Sequence, residues 1–261
     1  MTRSLAGLTV VVTRPARQAV RFTQLLRERG AATVAFPALE IEPVTLDASA
    51  PGALAPDACD WVVYTSANAV EYSLRELGRP GRARVAAIGR ATARALASAG
   101  VEVHVVPESG ADSEGLLAHP GFADPRGQRI LIVKGVGGRD SLRAGLVSRG
   151  ALVSTAEVYR RTRPAPTTEA LDELDRARGS GSVVVAVTSV EVLESLLAAA
   201  PAGRYGWLRE APLLVPGERV AAAARRLEWR GPPVVARSAE DESMLDALEL
   251  WSSDGGRITP A

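Results

Sequence analysis

The 261-residue sequence has one cysteine, one lysine, two histidines and three phenylalanines, and no apolar run near the ~20 residues that a membrane-spanning helix needs. The lone thiol, Cys59, excludes a disulfide scaffold and a multi-cysteine metal site, and its apolar neighbours read as a buried environment. His104 and His119 stand at no metal-ligand spacing from each other or from Cys59, so no metal or other cofactor is expected. Charge of one sign is also missing: 31 basic residues face 30 acidic ones, for a formal net charge of +1. That balance gives no global field to attract nucleic acid or a membrane surface, and leaves any anionic ligand to be held by local arrangement. The N-terminus lacks a secretory h-region and cleavage site, which points to the cytoplasm. Apart from Lys134 every basic residue is Arg, a bias assigned to genome composition. No Ser/His/Asp constellation is readable, and there is no GK[ST] phosphate loop.

What is present is a repeat. The stretch 129–164, RILIVKGVGGRDSLRAGLVSRGALVSTAEVYRRTRP, has a near twin 120 residues earlier at 8–43, LTVVVTRPARQAVRFTQLLRERGAATVAFPALEIEP. In each, a short apolar run breaks into a polar turn, an amphipathic stretch follows, Arg-Gly-Ala closes it, and a second extended run begins. This is the pattern of a βαβ unit. Further blocks repeat with a slow drift: Thr65 maps to Thr188 at an offset of 123, Gly89 to Gly217 at 128, and Glu114 to Glu242. The spacing predicts strands at 61–64, 84–88, 101–106, 183–187 and 213–215, with helices after the turns, the one after Gly89–Thr92 running over 93–99. Residues 47–56 and 161–178, the least patterned, read as linker or surface segments.

Five turns lie after strands and before helices: Thr13–Pro15, Thr65–Asn68, Gly89–Thr92, Lys134–Arg139 and Thr188–Ser189. Each offers backbone N–H groups, and most a hydroxyl or cation, where a helix N-terminus favours carboxylate or phosphate. Plain helix capping explains any one of them; five in two similar units favour a cleft that reads several anionic groups. The Gly135, Gly137, Glu157 pattern partly imitates a dinucleotide fingerprint but has Asp140 in place of the third glycine. Glu114 and Glu242 read equally as first-turn helix charges, and Tyr159, at the end of an extended run, reads on its own as packing.

These residues, in order, resemble the uroporphyrinogen-III synthase family along nearly the whole chain. The matching stretches are VVVTRPARQA, DWVVYTSANAV, VAAIGRATARAL, PESGADSEGLL, ILIVKGVGGRDSLRAGLVSRGA, VYRRT and VVVAVTSVEVL. The resemblance implies an α/β fold of two similar domains, each a parallel sheet flanked by helices, with the substrate cleft between them. It implies a discontinuous first domain of residues 1–38 and 164–261, a second of 43–158, and a two-stranded connector at 39–42 and 159–163.

The implied reaction is the cyclisation of hydroxymethylbilane, a linear tetrapyrrole with eight carboxylates, to uroporphyrinogen III. Hydroxide leaves as water to give an azafulvene, and a spiro intermediate then allows ring D to be inverted. Such chemistry is a matter of holding a conformation and easing the departure of hydroxide. By motif position the resemblance gives Tyr159 the catalytic role, its phenol hydrogen-bonding the departing hydroxyl. It gives Arg14, Thr65, Ser66, Thr92, Lys134, Gly135, Ser189 and Gly217 to substrate binding. Lys134 stands where the family commonly has arginine, and the glycine turn at 216–220 lacks the family's threonine and carries Glu218. A monomer is implied, with substrate handed over transiently from hydroxymethylbilane synthase and with neither nucleic acid nor membrane as partner. The competing readings are a non-catalytic tetrapyrrole-binding or regulatory module on the same fold, and a nucleotide-binding α/β protein.

Overall fold

Runs of Val, Ile and Ala too short for helices alternate with amphipathic stretches in the computed structural model, which describes residues 4–46, 55–107, 112–138, 140–179, 182–200 and 202–255. In chain order, β1 (Leu8–Val12), α1 (Ala16–Glu28) and β2 (Ala32–Ala35) lead into β3 (Glu40–Pro43). Next come β4 (Trp61–Tyr64), α2 (Ala67–Glu76), β5 (Arg84–Ala87), α3 (Arg90–Ser98) and α4 (Ser113–Ala118). They are followed by β6 (Arg129–Gly135), α5 (Ser141–Ser148), β7 (Leu152–Thr162) and α6 (Thr168–Gly179). The chain closes with β8 (Ser182–Ala186), α7 (Val190–Ala199), α8 (Ala202–Tyr205), β9 (Leu213–Val215), α9 (Glu218–Arg226), β10 (Pro233–Val235) and α10 (Asp241–Ser253).

The chain divides into two compact units, one of residues 1–40 with 162–261 and the other of residues 41–161. The first holds a sheet ordered β10-β9-β8-β1-β2, with every recorded pair parallel. Its core joins Val10, Val12, Val184 and Leu214 to Phe22 and Leu26 of α1 and to Met244 and Leu248 of α10.

The second unit holds a sheet ordered β3-β7-β6-β4-β5, and Val105 adds a parallel bridge outside β5. Because side chains alternate along a strand, a parallel sheet covered on both faces needs apolar residues at odd and even positions alike. Val62, Tyr64, Leu131 and Val133 meet Val70 of α2 and Leu96 of α3 on one face. Trp61, Val63, Ile130 and Ile132 meet Leu116 of α4 and Leu142 and Leu146 of α5 on the other.

Matching β6 to β1, β7 to β2, β4 to β8, β5 to β9 and Val105 to β10 gives the two sheets one spatial order, Val105-β5-β4-β6-β7 beside β10-β9-β8-β1-β2. The offsets of 120, 123 and 128 in the sequence therefore relate equivalent strands of two sheets with the same order, entered at a different strand in each unit.

Three sequence expectations are corrected. The strand expected at 101–106 reduces to the Val105 bridge, because the Val85 N–H is taken by the His104 imidazole at 3.2 Å in place of a backbone carbonyl. The segment read as linker over 161–178 begins in β7 and then forms α6, whose Leu174 and Ala177 are buried one turn apart. Helix α3 starts at Arg90, three residues early, because the extended Gly89 is its cap; Thr92 thus lies inside the helix. Most of the linker expected at 47–56 falls outside the described residues. Cys59 is buried with its Sγ 3.5 Å from the Ala55 carbonyl, and burial pushes its thiol up, against a smaller opposite pull from Arg129. Among the described residues no helix is long and apolar enough to cross a membrane.

Candidate functional site

An open parallel sheet forms a ligand crevice where adjacent strands send their chains to opposite faces. In the second unit that point lies between β4 and β6, since α2 packs on one face and α5 on the other. A cavity of about 190 Å³ opens there, lined by Thr65 and Ser66 after β4, by Lys134 and Gly135 at the end of β6 and Val136 to Gly138 after it, and by Ser113, Arg143, Tyr159 and Arg161.

Tyr159 reaches this cavity because of an irregularity in β7. Lys134 pairs with Glu157 but Gly135 pairs with Tyr159, so Val158 is an extra residue in the ladder. Such a bulge re-aims the side chain that follows it. The ring stacks on Tyr72 at 6.0 Å between centroids and is only 2% exposed. It also fills the space above Gly135, where a Cβ would lie 2.6 Å from Cζ of the ring. Gly135 thus serves to seat the tyrosine.

The phenol is held from two sides. Ser66 Oγ caps α2 by accepting the Ala69 N–H at 3.0 Å, and stands 3.1 Å from Tyr159 Oη. Arg161 Nη2 donates to Tyr159 Oη at 3.2 Å. When Ser66 donates its own proton to Oη, both phenol lone pairs face donors, and the phenol proton is left for a group in the cavity.

The remaining wall carries Lys134 and Arg143 together with Asp140, between the apolar side chains of Ile88, Ile132, Val136 and Leu142. The Lys134 Nζ has Glu157 at 4.0 Å, and the Glu157 carboxylate also accepts the Gly137 N–H at 3.3 Å. The residue that imitated a ribose-binding acid is therefore turned back onto its own loop. Gly137 and Gly138 have φ of 76° and 82°, a left-handed backbone that side chains resist. Asp140 pairs with Arg143 at 3.4 Å, and Arg139 lies outside the described residues. Thr65 lines the cavity while its hydroxyl donates to the Val133 carbonyl at 3.2 Å, tying β4 to β6.

Of the residues expected from sequence, Thr65, Ser66, Lys134, Gly135 and Tyr159 come together here. Thr92 is buried in α3. Arg14, Ser189 and Gly217 belong to the other unit. Ser189 caps α7 through the Val192 N–H at 3.1 Å, as Ser66 caps α2. Gly217 caps α9, and Glu218 turns outward to Arg225 at 2.9 Å. Arg14 is nearly buried: it pairs with Asp241, donates to the Ala239 carbonyl at 3.2 Å and lies 4.6 Å over the Phe22 ring. Both histidines are spent on backbone, His119 accepting the Gly121 N–H at 3.0 Å. Sequence reasoning missed Arg143, Arg161 and Ser113 as site residues. Arg143 was findable as a first-turn residue of the helix after the glycine loop, and Ser113 from the repeat.

Adding one methyl group at Gly135 tests the seating. Gly135→Ala lowers stability by about 1–3 kcal/mol, because the ring it meets is pinned by Tyr72, Ser66 and Arg161 and cannot swing aside. Urea denaturation reads this change; an unaltered midpoint would show that the ring is free to move.

A family model described as uroporphyrinogen-III synthase HemD matches residues 20–246. The uroporphyrinogen-III synthase of Salmonella typhimurium is 34% identical over 250 residues, which cover 93% of this chain and 100% of that protein. The Escherichia coli protein of the same name is 32% identical over 249 residues, with the same coverage. Two solved structures share the fold. A mutant uroporphyrinogen III synthase of Thermus thermophilus has a TM-score of 0.60 at 23% identity, covering 95% of this chain and 99% of its own. The Helicobacter pylori uroporphyrinogen-III synthetase has a TM-score of 0.58 at 17% identity, covering 93% and 99%.

Proposed function

The chain belongs to the uroporphyrinogen-III synthase family, and from that premise we propose that the cavity between β4 and β6 takes carboxylate groups of hydroxymethylbilane while Tyr159 assists loss of its hydroxyl. The activity is that of a cyclising hydro-lyase of tetrapyrrole biosynthesis: ring D is inverted, water is lost and uroporphyrinogen III is formed. The observation that carries the site assignment is the phenol of Tyr159, oriented by Ser66 and Arg161 in a wall otherwise rich in cations and N–H groups.

In this reading the phenol donates a hydrogen bond to the departing hydroxyl, which leaves as water once it gains a proton, and the azafulvene remains. An oxygen that accepts two hydrogen bonds, one from a guanidinium, suits this task, because the developing charge on it is already compensated. Lys134, Arg143 and the glycine loop supply positive charge and backbone donors for acetate and propionate groups. Arg14, Thr92, Ser189 and Gly217 enter as supports of the two frameworks. The crossings at 39–42 and 159–163 act as connector strands, in accord with β3 lying beside β7 in the sheet. A cytoplasmic monomer that receives substrate from hydroxymethylbilane synthase completes the reading, and a single buried thiol suits that reducing compartment.

Coupling the purified protein to hydroxymethylbilane generated in situ and separating the oxidised products tests it. The type III isomer is expected in excess. Type I alone, at the rate of the enzyme-free reaction, favours the non-catalytic tetrapyrrole-binding module.

A further inference from the structure

The repeat relates the switch points of the two units residue by residue. Arg14 matches Lys134 at an offset of 120, and Ser189 matches Ser66 at 123. The offset of 128 that joins Gly217 to Gly89 continues to the next helix, where it sets Asp241 on Ser113. The register is supported structurally, since Asp241 is the first residue of α10 and Ser113 the first of α4, and acidic residues, Glu240 and Asp112, precede them.

The two sets differ in how their charges are partnered. In the first unit the matched pair is an ion pair, Arg14 with Asp241, whose side chains are 8% and 13% exposed. In the second unit Lys134, Ser66 and Ser113 line one cavity, position 113 carries no charge, and the Asp140 carboxylate in the same wall is paired with Arg143 at 3.4 Å. Lys134 is also the only lysine of the chain. The carboxylate recorded beside it, Glu157, is 4.0 Å away and is shared with the Gly137 N–H.

We infer that a substrate carboxylate takes, in the second unit, the place that the Asp241 carboxylate fills in the first, lying on Lys134 beside the Ser113 hydroxyl. The first unit supplies its own carboxylate at the switch point; the second leaves that place to the ligand. The anchor is the Lys134 ammonium in a walled cavity, and Ser113 sets the specificity by not being acidic. The inference rests on the carboxylated-substrate reading above.

A built-in carboxylate at position 113 would compete with the ligand at high effective concentration. Ser113→Asp is therefore expected to raise KM for hydroxymethylbilane by about tenfold or more over Ser113→Asn, which has the same size without the charge. Folding tolerates the change, because the side chain is half-exposed and an acidic residue suits the first turn of a helix.

A second readout does not need turnover. Reductive ¹³C-methylation labels a single side chain, Lys134, and its NMR signal is followed while the oxidised, air-stable product macrocycle is added. The parent signal should shift saturably; in Ser113→Asp it should start shifted and move less. Conversion to the type III isomer by the parent, with KM values for the two variants within about twofold of each other, overturns the inference and leaves the enzymatic reading standing. A Lys134 signal indifferent to the macrocycle in an active parent does the same. Type I product alone from the parent overturns the enzymatic reading itself.

Discussion

Tyr159→Phe lowers kcat by about a hundredfold, the lower end of what a positioned proton donor contributes, and changes KM little. The substitution is clean because it removes only the phenol oxygen. The ring keeps its stack on Tyr72 and its seat over Gly135, Ser66 keeps its bond to the Ala69 N–H, and Arg161 still lies over the ring at 5.5 Å. Steady-state kinetics with in situ substrate measure the effect, and equal kcat in variant and parent removes Tyr159 from the mechanism. Arg161→Gln and Ser66→Ala separate orientation from packing. If both act by orienting the phenol, each lowers kcat in the parent and has a much smaller effect once Tyr159 is Phe.

A loss of about 3–5 kcal/mol in stability is expected of Arg14→Ala, because it strands the Asp241 carboxylate in a nearly buried position. The bond to the Ala239 carbonyl and the cation–π contact with Phe22 go with it. Urea denaturation followed by fluorescence of Trp207, Trp229 and Trp251, all in the first unit, reports the change. The double substitution Arg14→Met with Asp241→Leu should recover most of the loss, since two apolar side chains of similar volume leave no unpaired charge. A loss below about 1 kcal/mol together with a raised KM would mean instead that Arg14 faces substrate. From sequence alone that was the natural reading, because a cation in a strand-to-helix turn looks the same whether its carboxylate comes from a ligand or from a helix 227 residues away.

Much of the fold was legible because its signals are local. Short Val-rich runs, glycine stops and hydroxyl caps act within a few residues, so β1, β4, β6, β8 and β9 and the caps Ser66 and Ser189 stand where the pattern set them. Two departures have different causes, one a partner away in sequence and one a local signal masked by prolines. The 101–106 segment has strand composition, yet the His104 side chain took the N–H that a ladder bond needed. The segment 161–178 reads as linker through its prolines, while the apolar spacing of Leu171, Leu174 and Ala177 makes 168–179 a helix.

The glycines at and after the end of β6 show the same division in the candidate site. Gly135, Gly137 and Gly138 read alike in sequence as room for a ligand. In the structure Gly137 and Gly138 supply a left-handed turn, whereas Gly135 makes room for a tyrosine 24 residues on. The sequence by itself determined the strand–turn–helix grammar, its duplication and the residues that end each turn, because propensity, capping and periodicity are properties of neighbours. Only the tertiary structure decided which turns meet, that Tyr159 is aimed by a bulge, and that Arg14 is satisfied within the protein while Lys134 lines an open cavity. Those outcomes depend on strand register and on charge partners far apart in the chain, and no local pattern carries them.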